Sequence, residues 1–122
     1  MKVLTLGNEF IEEDSLAKKI GKVLEKDFEI INIDNSFELM TTLNEISDEI
    51  VLLDVVKDLD KTQIIPVDKL QNDSILSAHD FDVGYVLKLI GKDVRIIGIP
   101  MKGDVEEIGR DVKEMLKNLE SN

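Results

Sequence analysis

The chain has 122 residues, 43% of them hydrophobic and 34% charged, with a formal net charge of −11 and no cysteine. That length suits a single domain, residues 1–122, with a core of its own. The composition excludes disulfides, thiolate metal sites and cysteine nucleophiles, and the acidic balance opposes nucleic acid and anionic membranes, which need basic faces. It suits a basic protein partner or a cation instead. No apolar run reaches the roughly 18–20 residues that span a bilayer. The opening MKVLTLGNEF reads as a strand, not as a signal peptide, so a cytoplasmic location is expected.

Lys2–Leu6 is a short apolar run ending at Gly7, as a buried strand would. A helix is expected from about Glu13 to Lys26. Leu16, Ile20, Val23 and Leu24 form its apolar stripe, and Lys18, Lys19 and Lys22 face outward. Phe28–Ile33 supplies a second strand. Asp34-Asn35-Ser36 has N-cap chemistry, opening a helix over about Phe37–Ile46 that buries Phe37, Met40, Leu43 and Ile46. Ile50–Val56 is the most apolar strand, with Asp54 as its sole charge, and is expected at the centre of the sheet. Ile64–Val67 contains Pro66, which suits an edge strand. Ser74–Asp80 reads as a loop, Phe81–Ile90 as a helix closed by Gly91, and Val94–Ile99 as the last buried strand. Val105, Ile108, Val112, Met115, Leu116 and Leu119 mark a final amphipathic helix. This alternation predicts an α/β fold in three layers: a mostly parallel, twisted sheet of about five strands with helices on both faces.

In such a sheet the crossover helices start at the carboxyl ends of the strands, where open α/β folds place their chemistry. Asp14 falls in the first turn of the first helix, Asp54 near the carboxyl end of the central strand, and His79 just before the helix feeding the last parallel strand. Two carboxylates and an imidazole make a reasonable ligand set for a borderline divalent metal such as nickel or zinc, with positions left open for substrate. Each residue also has a plainer reading. Acids stabilise helix starts, and His79 fits a capping loop beside Ser77 and Asp80. Asp54 is harder to explain away, since burying an isolated carboxylate is costly. G-x-S-x-G, G-x-G-x-x-G and the P-loop are all absent.

Two resemblances compete for these residues. Asp54 at the end of the third strand, with Lys102 after the last, is similar to a response-regulator receiver, which would make Asp54 a phospho-acceptor. Here, however, Gly7–Ile11 separates the acid pair from the first strand, and Lys102 follows Pro100. The closer match covers nearly the whole chain. Gly7-Asn8, then Glu13-Asp14 before the first helix, VLLDVV around Asp54, Ser77-Ala78-His79 and Gly98-Ile99-Pro100 together resemble the hydrogenase maturation endopeptidases. The chain departs from that pattern at Ser15-Leu16-Ala17 and at Asn35-Ser36, where the family favours glycines. The resemblance implies a phosphorylase/hydrolase-like fold and a protease that trims the C-terminus of a nickel–iron hydrogenase large subunit. It implies Asp14, Asp54 and His79 as the residues that meet nickel carried by the substrate, with zinc or cadmium able to take its place. It also implies a monomer or weak oligomer, and leaves room for a homologue that binds the nickel-loaded subunit without cutting it.

Overall fold

The computed structural model describes residues 1–7, 12–66, 90–91 and 94–121, with residues 12–15 described by their backbone. In chain order these residues form strand β1 (Lys2–Leu6), helix α1 (Glu12–Leu24), β2 (Glu29–Ile33), α2 (Ser36–Glu45), β3 (Ile50–Val55), β4 (Gln63–Ile65), β5 (Arg95–Ile99) and α3 (Val105–Glu120). The strands form one sheet in the order β2-β1-β3-β5-β4. The first four of these pair in parallel, and β4 runs antiparallel along the edge of β5. Pro66, directly after β4, sits where a missing N–H costs no ladder bond.

β3 is the middle strand and every residue in it is buried. Its near-continuous apolar run follows from having layers on both sides. Alternation along each strand divides the core in two. Val3, Val51, Leu53, Val55, Ile97 and Ile99 face α1 and α3, which add Leu16, Ala17, Ile20 and Leu24 from one helix and Ile108, Val112 and Leu116 from the other. Leu4, Leu6, Ile33, Leu52 and Ile96 face the opposite way, toward Leu39 and Leu43 of α2. Helices α2 and α3 start with their own caps: Asn35 Oδ1 accepts from Glu38 N–H at 2.8 Å, and Asp104 Oδ1 from Glu106 N–H at 2.8 Å.

Three side chains depart from the helical stripes read in the sequence. Phe37, expected inside, is 80% exposed. It lies two residues before the buried Leu39, about 200° around the helix, so the face that buries Leu39 and Leu43 turns Phe37 outward. Val23 is 46% exposed and packs sideways over α3, its Cγ1 within 3.2 Å of the place a Cβ on Gly109 would occupy. Lys18, expected to face solvent, is buried and ion-paired with Asp34 just beyond β2. The long apolar stem of lysine allows this burial once its ammonium has a carboxylate. The loop Ser74–Asp80 and, apart from Ile90, the helix Phe81–Ile90 lie outside the described residues.

Candidate active site

The four parallel strands end on one rim, and α1, α2 and α3 all begin there. The chain moves outward from β1 to β2 in one direction, and from β3 toward β5 in the other. The reversal falls between β1 and β3, and crevices at such switch points are where open α/β sheets bind their ligands.

Asp54 stands at that point. It is the next-to-last residue of β3 and is completely buried. Leu52, two residues earlier, faces the α2 layer, so Asp54 faces it too. Its cross-strand partner in β5 is Gly98, which in turn pairs with Gln63 of β4. A Cβ on Gly98 would lie 2.8 Å from Ile65 Cγ1 and 2.9 Å from Leu59 Cδ1. The missing side chain therefore lets Leu59 and Ile65 close over the sheet beside Asp54. With Leu6 and Ile96 on the same face, the carboxylate is held in an apolar frame. Such a frame demands compensation of a charge by hydrogen bonds, a counter-ion or a metal.

Beside Asp54 the chain leaves β1 through Gly7, whose N–H donates to Ile33 C=O at 3.2 Å. Gly7 has φ of 134°, a conformation closed to most side chains, and it turns the chain off the sheet. Asp14 follows in the first turn of α1, at the same rim and in the layer opposite the one Asp54 faces. One helical turn further on, Lys18 reaches Asp34 at the end of β2 and ties α1 to the rim. Deeper in the same seam, the Thr5 hydroxyl donates to Asn32 Oδ1. The Asp14 carboxylate and the whole of His79 lie outside what the structure describes. Among the described residues no three His, Asp or Glu side chains form a metal-binding group. A cleft of about 390 Å³ lined by Lys61, Thr62, Asp111, Glu114, Met115 and Asn118 opens against α3, in the layer that Asp54 does not face.

The Lys18–Asp34 pair and the exposed Phe37 were not legible in the sequence. For Lys18 no local signal exists, since its partner belongs to another element. For Phe37 the two-residue offset from Leu39 was the available clue.

No family model and no curated protein matches the sequence. Solved structures do match. The NiFe hydrogenase maturation protease HybD from Thermococcus kodakarensis superposes with a TM-score of 0.73 over 97% of this chain and 97% of that one, at 21% identity. A hydrogenase 3 maturation protease superposes with a TM-score of 0.70 over 93% of this chain and 86% of that one, at 13% identity. The fold is that of the hydrogenase maturation proteases. Agreement over almost the full length of both chains extends to the whole layered architecture, as the motifs around Asp14 and Asp54 implied.

Proposed function

We propose that this chain is a hydrogenase maturation protease, an endopeptidase that removes the C-terminal extension of a nickel–iron hydrogenase large subunit after nickel insertion. The observation that carries the reading is Asp54, a fully buried carboxylate at the switch point of a sheet whose fold two maturation proteases share. Asp14 opens the helix on the β1 side of that crevice, and His79 is the third member of the set by sequence position. Two carboxylates and one imidazole suit a borderline divalent ion. On this reading the metal arrives with the substrate. Bound there, it would polarise the scissile carbonyl or orient a water, as metal ions do in hydrolysis.

The chain's own share of the work is positional. Asp54 is fixed by β3 and by the side chains packed over Gly98, and Asp14 by α1, which the Lys18–Asp34 pair holds to β2. The apolar frame excludes water around Asp54 and strengthens any interaction its carboxylate makes. A receiver reading fits less well. The doubly wound sheet of receivers has the order 2-1-3-4-5, whereas here β5 lies beside β3 and the edge strand β4 is antiparallel.

The test is incubation of the protein with nickel-loaded and nickel-free precursor, followed by mass spectrometry of the precursor's C-terminus. Loss of a discrete C-terminal peptide from the nickel-loaded form alone is expected. Asp14→Ala and His79→Ala, shown folded by circular dichroism, should each abolish it. Full processing by folded His79→Ala would remove the triad as the working site. Binding of the loaded subunit without cleavage would make the chain a non-catalytic relative.

A further inference from the structure

Between residues 27 and 56 the sequence contains eight Asp and Glu and no Lys or Arg. This accounts for most of the net charge of −11. Part of the run is neutralised from elsewhere: Lys113 pairs with Asp27, Lys18 with Asp34, and Lys2 with Glu29 and, at 3.9 Å, Asp48. Among the described residues, no basic side chain pairs with Glu38 or Glu45 of α2. They lie seven residues apart, two turns along one side of the helix, with the exposed Thr41 between them.

Phe37 stands at the rim end of this strip. At 80% exposure it keeps most of a phenyl ring in water, and α2 does not use it for packing. Scattered exposed apolar residues are ordinary, but this one has a particular setting. It opens the helix that covers Asp54's face of the sheet, and β2, which leads into that helix, lies two strands from β3. At the usual strand spacing the ends of β2 and β3 are about 10 Å apart. An aromatic face beside carboxylates attracts a cation. Lys or Arg over the ring gains from the ring quadrupole, and the carboxylates add Coulombic attraction and steer the approach.

We propose that the exposed side of α2, from Phe37 and Glu38 at the rim to Glu45, is the docking surface for a basic segment of the protein substrate. A Lys or Arg of that segment stacks on Phe37 beside Glu38, and further basic residues run along the helix toward Glu45. The segment leaving Phe37 toward the sheet is then delivered to the crevice at Asp54. This rests on the protease reading above and adds to it the recognition element and the charge of what is recognised.

The test measures processing of nickel-loaded precursor by wild type, Phe37→Ala, Glu38→Lys/Glu45→Lys and, as a single charge reversal on the opposite layer, Glu107→Lys. Binding is read separately, as the Kd of nickel-free precursor, which is not expected to be cut, on wild type and on both α2 variants. Phe37→Ala and the double reversal should each raise KM and Kd by about tenfold, the scale of an interface hot spot, with kcat unchanged. Added salt should weaken wild-type binding and narrow its gap to the double reversal, and Glu107→Lys should behave as wild type. Unchanged KM and Kd in both α2 variants, or an equal loss in Glu107→Lys, would overturn the docking surface. A wild type that binds but does not cut would overturn the protease reading, and the effect of Phe37→Ala on Kd would then decide the docking surface alone. A wild type that neither binds nor cuts would overturn both.

Discussion

The two faces of the sheet are built to different rules. The face covered by α1 and α3 meets them in an apolar cluster, from Val3 and Val51 through Ile97 to Leu116, and the buried Lys18 of α1 is paired with Asp34 at its rim. Its Asp27–Lys113 ion pair, at 2.8 Å, lies at the half-exposed margin where the two helices come together. The face covered by α2 carries a fully buried carboxylate in its central strand, and its helix leaves a phenylalanine in water. A core of pure hydrocarbon is the cheaper way to gain stability, because a buried charge must be compensated by partners that an apolar side chain does not need. On the protease reading, the contrast puts folding stability chiefly on the first face and the working carboxylate Asp54 on the second, with Asp14 at the rim the two faces share.

The sharpest way to break that assignment is to change one residue on each face. Asp54→Asn keeps shape and removes charge. It should cost processing two orders of magnitude or more, beyond the roughly 10–100-fold seen for groups that only support a metal ligand. The urea midpoint should move less than in a core truncation, because the isosteric amide leaves the apolar packing around it in place. Leu116→Ala, in a residue with no exposed surface near the far end of α3, should do the reverse. Truncating a buried leucine costs about 2–5 kcal/mol, which chemical denaturation will show, while kcat per folded molecule is retained. Equal losses of activity in both variants, after correction for the folded fraction, would mean that the faces are not divided in this way.

Most of this architecture could be read from the chain. Buried parallel strands appear as unbroken apolar runs, so β1, β2, β3 and β5 are legible to within a residue or so of their ends, and the central place of β3 follows from its being the most apolar. Asp54 stood out for the same reason, as one charge inside such a run. The errors came where burial depends on a distant partner. An isolated lysine belongs in water, so nothing local marks Lys18 as buried, and only the fold brings Asp34 to it. Phenylalanine is usually buried, but Leu39 and Leu43 claim the other side of the helix and leave Phe37 outside. The acidic side of α2 was missed for a related reason. The count of acids is local, but which of them are neutralised depends on Lys2, Lys18 and Lys113, in three other elements. His79 falls outside the described residues.

The smallest expected effect tests whether the α1/α3 face draws anything from charge. Lys113 donates to the Asp27 carboxylate and holds it below the ordinary carboxylate range, with Lys117 and Lys26 adding weaker attraction. A carboxyl held low in the folded state contributes stability at pH values above its unfolded pKa. That contribution disappears as pH falls through the folded value, once both states are protonated. Near neutral pH, wild type should therefore unfold at slightly higher urea than Asp27→Asn. The gap should close on acidification through roughly pH 4 and below, where unpaired aspartates take up their proton. Salt should narrow it as well, since the pair is half exposed and open to screening. A gap as large as that of Leu116→Ala, or one indifferent to both pH and salt, would show that the end of α1 is fastened to α3 by more than this ion pair. The apolar contact of Val23 with Gly109 would then be the first place to look.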